Sequence, residues 1–327
     1  MKAAVIEALG RAPVYAEFPE PAAHDDAVVA TVEAAALTNL TRGLVAGSHY
    51  GSSGLALPSV AGVDGVARLS DGRRVYTGAV SPYGMMAERA LIDPRGAVDV
   101  PDGVDAVTAA AAPNPGLSAW MSLHHAAQIQ PDHHVLVVGA TGVTGALAVQ
   151  LAKMEFGVQR VVAVGRDADR LQWLRTVGAD DTIRLGHDDL GARVGDAHRD
   201  RPFDVVLDYL WGEPAEHVLS ALGNDGLGPT FHATRYVQIG SMAGPTINLA
   251  AGILRSAGVT LTGVGFGSVP LDVVVRARTE FLPRLFGMLA DGQLQLTTQA
   301  RPLADVEAVW AQREPSGTRV VFTPRAC

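Results

Sequence analysis

One local pattern constrains the fold of this chain more than any other. Residues 134–139 (HVLVVG) form a continuous apolar run, the glycine-rich segment 139–145 (GATGVTG) follows at once, and residues 144–156 have helical character. A short apolar strand that leads through a glycine-rich turn into a helix is typical of the first half of a β–α–β unit. We therefore expect a parallel sheet covered by helices in this part of the chain.

Apolar runs of strand length recur after this unit and alternate with helix-forming segments. Strands are predicted at 160–165, 181–184, 203–208, 236–240 and 259–263. Residues 167–177, between the first two of these strands, are predicted to form a helix. Continuous Val/Ile/Leu strands separated by helices indicate a doubly wound α/β domain.

The flanking residues have a different pattern. Short apolar runs separated by Gly and Pro lie at 3–6, 27–32, 65–69, 75–77 and 86–92. This spacing predicts an antiparallel, barrel-like β domain, and a turn predicted at Asn114-Pro115-Gly116 marks its end. After residue 265 we expect one helix, 271–290, and a closing strand, 318–323, that return to the first domain. The predicted domains are therefore 1–115, 116–265 and 266–327.

The glycine-rich turn also has the composition of a dinucleotide-binding site. Glycines let the backbone approach a pyrophosphate, and the helix that follows offers free N–H groups and the positive end of its dipole. The candidate cofactor-binding residues here are Gly139, Thr141, Gly142, Val143, Thr144 and Gly145. The alternative is a tight strand-to-helix turn without a ligand.

The end of the second predicted strand indicates which dinucleotide is bound. Sites for NAD usually place Asp or Glu there to bind the ribose hydroxyls, but this chain has Gly165, Arg166 and, one turn later, Arg170. Glycine removes a carboxylate that would repel a 2′-phosphate, and guanidinium groups are suited to bind one. The pattern favours NADPH. In the alternative interpretation both arginines are solvated helix-start charges and Asp167 is only a helix cap.

Composition excludes several other functions. The net charge of −8 argues against nucleic acid or an anionic membrane as the main partner, and no apolar run reaches the roughly 18 residues of a membrane span. The start MKAAVIEALG lacks the features of a signal peptide, so we expect a cytoplasmic protein. The single cysteine, Cys327, excludes intrachain disulfides and cysteine-built metal sites.

Taken together, these features resemble the medium-chain dehydrogenase/reductase superfamily, and within it the zinc-independent quinone oxidoreductase and enoyl reductase branch. The similar segments are MKAAV, the Asn39 segment, 47–50, 58–65 (PSVAGVDG), 84–88 (GMMAE), the glycine turn, 174–180 (LRTVGAD) and the ending GTRVVFTP. The resemblance implies a GroES-like β-rich catalytic domain plus a doubly wound Rossmann parallel sheet. It also implies NAD(P)H hydride transfer and a homodimer formed through the strand from Val259 to Gly263.

The chain departs from the zinc alcohol dehydrogenases of that superfamily at the metal ligands. Those enzymes bind zinc with a Cys near the Asn39 position and a Gly-His-Glu motif, whereas this chain lacks the Cys and has Gly62-Val63-Asp64. No metal is expected. Without a Lewis acid an electron-poor acceptor is favoured, because a quinone or an α,β-unsaturated carbonyl delocalises the charge that hydride brings.

The resemblance also implies candidate residues around the nicotinamide and the substrate. Asn39 and Tyr50 match positions that face them in zinc-free relatives. We expect the Tyr50 phenol to donate a hydrogen bond or proton to the developing oxyanion, with His49 as rival donor and solvent as the alternative source. The nicotinamide side is expected to be lined by Gly240, Ser241, Val264, Gly265 and Phe266, and Arg319 matches a basic position near the pyrophosphate.

The sequence thus predicts a zinc-independent, NADPH-dependent oxidoreductase that transfers hydride to a quinone or an α,β-unsaturated carbonyl. One alternative is an NADPH-binding sensor or structural protein with little turnover, and a second is a metal-free alcohol dehydrogenase. Tyr209 and Trp211 follow the fourth strand, where relatives usually have small residues. They are interpreted as packing residues, with narrowing of the cleft or stacking on an aromatic substrate as the alternatives.

Overall fold

The structure is a computed structural model that describes residues 1–24, 26–223, 231–265 and 267–324. The chain forms two compact units. Unit 1 consists of Met1–Asn114 and Arg278–Cys327, and unit 2 of Pro115–Ala277. Unit 1 is rich in β-structure and unit 2 contains a parallel sheet with helices, so the predicted α/β fold class is confirmed.

The first part of unit 1 contains short strands joined by turns. The strands are β1 (Lys2–Ile6), β2 (Val14–Glu17), β3 (Val28–Ala36), β4 (Ser59–Val60), β5 (Asp64–Arg68), β6 (Arg74–Gly78), β7 (Arg89–Ile92) and β8 (Val98–Asp99). Two short helices, α1 (Asn39–Val45) and α2 (Ala106–Ala111), accompany them. The β-pairs among these strands are all antiparallel, as the alternation of short apolar runs with Gly and Pro predicts.

Unit 2 alternates strand and helix. Its strands are β9 (His134–Val138), β10 (Arg160–Gly165), β11 (Asp181–Arg184), β12 (Val205–Asp208), β13 (Ala233–Gln238) and β14 (Gly258–Gly263). The helices are α3 (Pro113–Met121), α4 (Val143–Met154), α5 (Ala168–Thr176), α6 (Leu190–Asp200), α7 (Gly212–Ala221), α8 (Ala251–Ser256) and α9 (Leu271–Arg276). The strands pair in parallel in the order β11-β10-β9-β12-β13-β14, which is a doubly wound sheet.

The remaining elements complete unit 1. They are α10 (Leu282–Ala290), β15 (Thr297–Pro302), α11 (Val306–Trp310) and β16 (Thr318–Thr323). Strand β16 pairs antiparallel with β3, which extends the larger sheet to the order β15-β16-β3-β5-β6-β8, with β7 also on β3. The core of unit 1 contains Val32, Met85, Leu303 and Phe322, all at most 3% exposed.

Two local predictions need correction. Asn114-Pro115-Gly116 is not a turn but lies in the first turn of α3. Proline is tolerated there because the first N–H groups of a helix have no intrahelical acceptor. The single helix predicted at 271–290 is divided by a π-helical segment, Ala277–Phe281, between α9 and α10.

Strands β2, β4, β8 and β15 were not predicted.

Candidate functional site

The six parallel strands of unit 2 end at one edge of their sheet, which we call the carboxyl edge. Ligands of open α/β sheets bind at this edge, where loops from neighbouring strands meet. The structure brings most of the predicted cofactor-binding residues to it. They lie after β9 (139–145), at the end of β10 (Gly165 and Arg166), after β13 (Gly240 and Ser241) and after β14 (Val264 and Gly265). Phe266 lies outside the described residues.

The turn after β9 has a backbone that only glycine permits. Gly139 has a φ of +90°, a conformation that L-residues with a side chain rarely adopt. A Cβ on Gly145 would lie 2.5 Å from the carbonyl oxygen of Gly139 and 2.8 Å from the Cα of Ala140. The helix α4 therefore packs this close to the end of β9 only because residue 145 has no side chain.

The N-terminus of α4 is open to a ligand. Gly142 is the N-cap, and no side chain caps the helix there. By helix geometry the N–H groups of Val143, Thr144 and Gly145 have no intrahelical acceptor, and the dipole of this 12-residue helix adds positive potential. Such a terminus binds phosphate groups, so the glycine turn is a cradle that fits the pyrophosphate of a dinucleotide.

Gly165, at the end of β10, is packed directly against Thr141. A Cβ at position 165 would lie 2.3 Å from Cγ2 and 2.7 Å from Oγ1 of Thr141. An Asp or Glu therefore cannot occupy this position, which NAD-binding sites use for a carboxylate, unless Thr141 moves. Thr141 is itself only 7% exposed, and its side chain packs against Gly165.

The two arginines predicted to bind phosphate have different surroundings. Arg166 is exposed, whereas Arg170 is partly buried on α5 with its guanidinium carbon 4.0 Å from the centre of the Trp173 ring. Burial lowers the pKa of Arg170. Asp167 caps α5, since its Oδ1 accepts the N–H of Arg170 at 3.0 Å. The helix-cap role considered for Asp167 is thus observed.

A buried carboxylate that sequence reasoning missed organises the turn after β12. Oδ1 of Asp208 accepts the N–H groups of Leu210 and Trp211 at 2.8 and 3.0 Å, and its Oδ2 accepts the Tyr236 hydroxyl at 2.8 Å. Burial raises the pKa of Asp208 and of Tyr236. These bonds hold Trp211 at a φ of +55°, which is unusual for a bulky residue and marks local strain.

The end of β13 also approaches the turn after β12 closely. A Cβ on Gly240 would lie 2.6 Å from the carbonyl oxygen of Tyr209. Tyr209 is 8% exposed, as the packing interpretation requires. Ser241 is exposed, and the N–H of Gly265 donates to Oγ of Ser268 at 2.8 Å. The backbone of these residues therefore forms one border of the carboxyl edge.

The predicted catalytic residues belong to unit 1. Asn39 is exposed and begins α1, whose N-cap Thr38 accepts the N–H of Thr41 at 3.1 Å. The loop that follows α1 is fixed by the Gly43 carbonyl oxygen, which accepts the N–H groups of Ser48 and His49 at 3.1 and 3.2 Å. This loop carries Tyr50, which is 71% exposed.

His49 and Tyr50 face each other although they are neighbours in sequence. Their ring centres are 4.0 Å apart with an interplanar angle of 33°, so the two side chains lie on the same side of the loop. Nδ1 of His49 accepts the N–H of Gly51 at 3.0 Å, so in the neutral ring the proton is on Nε2. Both rings thus present a donor, and the geometry leaves the choice between them open.

The residues at the zinc-ligand positions of the alcohol dehydrogenases do not fit a zinc ion. Val63 offers no ligand atom, and in the Asn39 segment, which lacks the Cys, the neighbouring Thr38 has a buried hydroxyl 3.0 Å from that of Thr41. The buried carboxyl of Asp64 accepts the Tyr76 hydroxyl at 2.7 Å, and burial raises its pKa. Zinc sites in proteins are built from thiolate, imidazole and carboxylate ligands, and this set offers one engaged carboxyl.

Arg319 lies on β16 inside unit 1. It is 6% exposed and donates to the carbonyl oxygen of Leu37 at 2.9 Å. Burial lowers its pKa, while the charges of Glu314 and Asp64 oppose that shift. Its predicted contact with the pyrophosphate stays a prediction.

Two searches over the described ranges gave negative results. No group of three or more His, Cys, Asp or Glu side chains there is arranged to hold a metal ion. None of the helices in that part of the chain is both long enough and apolar enough to span a bilayer.

Comparisons with known proteins bear on these sites. Residues 143–273 match the protein family described as "Zinc-binding dehydrogenase", a stretch that lies in unit 2 and does not include Val63 or Asp64. A probable NADPH-dependent quinone reductase of Emericella nidulans is 29% identical over 238 residues, or 68% of this chain and 62% of that protein. The match thus spans less than two thirds of that relative's length.

Two further matches cover more of the chain. The quinone oxidoreductase of Pseudomonas aeruginosa is 28% identical over 276 residues, which are 83% of this chain and 79% of that protein. The quinone oxidoreductase of Thermus thermophilus, whose crystal structures include a complex with NADPH, has a TM-score of 0.80 at 27% identity and covers 99% of this chain and 100% of its own.

Proposed function

Because this chain belongs to the medium-chain dehydrogenase/reductase superfamily, in its quinone oxidoreductase-like branch, we propose that it is a zinc-independent, NADPH-dependent reductase. The proposed acceptor is a quinone or an α,β-unsaturated carbonyl. The observation that carries the proposal is the carboxyl edge of unit 2, where a glycine cradle and an open helix N-terminus fit a pyrophosphate. A relative named as a probable NADPH-dependent quinone reductase and a similar quinone oxidoreductase solved in complex with NADPH support it.

Within this proposal, unit 2 is the cofactor-binding domain. The N–H groups of Val143, Thr144 and Gly145 bind the pyrophosphate, because no intrahelical acceptor satisfies them. The preference for NADPH is supported by Gly165, where a side chain would clash with Thr141 unless Thr141 moves, and by exposed Arg166 next to it. Gly240, Ser241, Val264 and Gly265 are the proposed nicotinamide border.

The donor set near Val63 and Asp64 supports a reaction without zinc. An acceptor whose own conjugation delocalises the added charge needs less Lewis-acid assistance than a simple alcohol or ketone does. When bound, the dinucleotide supplies hydride. The protein's part is to orient the acceptor, exclude water and donate a hydrogen bond to the acceptor oxygen, where negative charge develops.

We assign the donor role to Tyr50 and the orienting role to Asn39. A phenol hydroxyl can donate a hydrogen bond, or its proton, to the oxygen on which negative charge develops in the transition state. Neutral His49, with its proton on Nε2, is the rival donor. Because the two rings are in contact, both donors belong to one site.

The proposed assembly is a homodimer through β14. This strand ends the order of the six-stranded sheet, and most of its residues are exposed or half-buried. Leu261 on β14 and Leu254 on α8 are 38% and 44% exposed, so apolar surface lies beside the strand that ends the sheet in the described part of the chain. Sedimentation velocity should show a dimer that Leu261→Lys weakens, and a monomeric wild-type protein would contradict it.

Isotope transfer tests the proposed reaction. NADPH deuterated at C4 of the nicotinamide, with each face labelled in turn, is incubated with the protein, a chelator and a simple enone. We expect one face to deliver deuterium to the β-carbon of the product, with no loss of rate in chelator. Loss of activity in chelator, or turnover of alcohols with NADP⁺ but not of enones or quinones, would contradict the proposal.

The donor role is tested by a pair of variants. Tyr50→Phe should lower the turnover number at least tenfold and leave NADPH affinity unchanged, because losing a donor to a developing oxyanion costs about 2.7–4 kcal/mol. Since Tyr50 is largely exposed, the variant should fold. If Tyr50→Phe turns over normally and His49→Ala does not, the donor is His49.

A further inference from the structure

The ends of β10 and β11 bring together two arginines of which sequence reasoning considered only one. Gly165 and Arg184 are direct partners in the parallel register of these strands, so both strands end at the same level of the carboxyl edge. Nε of Arg184 lies 3.4 Å from the carbonyl oxygen of Arg166, to which it donates. The Arg184 side chain therefore lies beside the Arg166 backbone, and both side chains are exposed.

Neither guanidinium is neutralised by an acid. Within the described ranges, no carboxylate lies within ion-pair distance of the Arg166 or the Arg184 guanidinium. Asp188 accepts the backbone N–H of Arg184 at 2.7 Å and is 3.7 Å from the Arg193 guanidinium. Several other surface arginines of unit 2 are paired, as Arg175 is with Asp181 at 2.9 Å. Neither the Arg166 nor the Arg184 guanidinium is thus engaged in an ion pair in the described part of the chain, although Asp167 and Asp188 adjoin this corner of the carboxyl edge.

Arg170, by contrast, is occupied on its own helix. Its guanidinium stacks on Trp173, and its partial burial differs from the exposure of Arg166 and Arg184. Turning it toward a ligand would sacrifice a cation–π contact. Among the described residues, the Arg184 side chain makes one hydrogen bond, the long one to the Arg166 carbonyl oxygen.

We infer that Arg166 and Arg184, rather than Arg166 and Arg170, bind the 2′-phosphate of the dinucleotide. The inference rests on the proposed function and adds the residue that determines cofactor specificity. Two guanidinium groups on adjacent strand ends can each donate in-plane N–H pairs to one phosphate. Gly165 leaves the space between them free of a carboxylate, and Arg184 reaches this corner from the neighbouring strand.

Equilibrium binding tests the inference without turnover. The probes are NADPH, NADH, adenosine 2′,5′-bisphosphate and adenosine 5′-monophosphate, titrated calorimetrically against the wild type and Arg184→Gln, Arg166→Gln and Arg170→Gln. Arg199→Gln is the matched control, because Arg199 is an exposed arginine paired with Asp196 on α6. Since Arg184 is exposed and free of ion pairs among the described residues, its replacement should leave the fold intact.

We expect Arg184→Gln and Arg166→Gln each to weaken NADPH and adenosine 2′,5′-bisphosphate ten- to hundredfold, as charge-assisted hydrogen bonds do. Affinity for NADH and adenosine 5′-monophosphate should change less than twofold. Arg184→Lys should restore part of the loss, and Arg170→Gln and Arg199→Gln should behave like the wild type.

Two results would overturn the inference, and they are distinguishable. If the wild type prefers NADPH but Arg184→Gln retains that preference while Arg170→Gln loses it, the phosphate site lies on α5 and only this inference fails. If the wild type binds NADPH and NADH equally, the cofactor preference in the proposed function fails with it.

Discussion

The two ends of the six-stranded sheet in unit 2 are built from the same strands but have opposite properties. At the carboxyl edge, glycines at 139, 145, 165 and 240 bring backbone segments together, and the helix N-terminus and two arginines present donors. At the other end, which we call the amino edge, His134, His198 and Asp204 are hydrogen-bonded to the protein itself, and His232 lies beside Asp204.

The contacts at the amino edge show how it is closed. Oδ2 of Asp204 accepts the N–H of His134 at 2.7 Å, and its Oδ1 is 3.2 Å from Nε2 of His232. Nδ1 of His198 accepts the N–H of Phe203 at 3.0 Å. At the amino edge, side chains accept backbone N–H groups at the starts of the strands. At the carboxyl edge, the N–H groups at the N-terminus of α4 have no intrahelical acceptor. The difference indicates that one end of the sheet is shaped for a ligand and the other for stability.

The largest effect is expected from Gly145→Ala at the carboxyl edge. The new Cβ would meet the Gly139 carbonyl oxygen and the Ala140 Cα, so the turn must open. We expect a loss of about 3 kcal/mol in the free energy of unfolding, as for overpacked sites, and at least a tenfold loss of NADPH affinity. Urea unfolding and calorimetric titration measure the two effects.

Gly287→Ala is the matched control for that substitution. Gly287 lies inside α10, with nothing within 4 Å of a Cβ added there. Alanine should therefore stabilise the protein by about 0.5–1 kcal/mol and leave NADPH binding unchanged. If both variants bind NADPH like the wild type, the glycine turn is not the cofactor cradle.

The next largest effect on stability is expected at Asp208, whose hydrogen bonds hold the turn after β12 at the carboxyl edge. Asp208→Ala leaves the Tyr236 hydroxyl and two N–H groups without their acceptor, so we expect a loss of about 3 kcal/mol in the free energy of unfolding. Asp208→Asn keeps an oxygen for the N–H groups and can donate to the Tyr236 oxygen, and should cost less than about 1 kcal/mol. Equal stability of the two variants in urea unfolding would show that this carboxylate does not organise the turn.

The smallest effect lies at the amino edge and depends on pH. Burial lowers the pKa of His198 to about 4, below its ordinary 6.5. The unfolded chain therefore takes up a proton between pH 6.5 and 4 that the folded protein does not, and the free energy of unfolding falls as the pH falls through that window. Because the ring is partly exposed, screening reduces the effect to about 1 kcal/mol.

His198→Asn isolates this contribution. The amide oxygen can still accept the Phe203 N–H, but the side chain no longer titrates. The variant should lose less stability than the wild type between about pH 7 and pH 5, while NADPH affinity stays the same, because the two edges act independently. An identical pH dependence in both proteins would assign the acid sensitivity to other groups.

The sequence alone predicts much of unit 2. The strands Arg160–Gly165 and Asp181–Arg184 were predicted with their observed bounds, because runs of β-branched residues between turns have few other solutions. The bounds of β16, Thr318–Thr323, also agree with the prediction. The short strands β4 and β8 were missed because two residues give no periodic signal. The segment from Asn114 was predicted wrongly because Pro and Gly punctuate turns and helix starts alike.

The candidate site divides in the same way. The glycine turn and Gly165 are local patterns, so they are visible in the sequence. Arg184 and the Asp208–Tyr236 hydrogen bond are not, because they depend on the register of strands far apart in the chain. The contact between His49 and Tyr50 arises from the loop tied to Gly43, which no periodicity predicts.

Anaerobic stopped-flow mixing tests the central claim most directly. The protein with one equivalent of bound NADPH is mixed with excess quinone, and separately with excess enone, in the presence of chelator. We predict that the absorbance of the reduced nicotinamide disappears in a single turnover, at least a thousandfold faster than without protein, with at least one class of acceptor. Bound NADPH that persists with both acceptors at the rate seen without protein would contradict the account and identify a dinucleotide-binding protein without reductase activity.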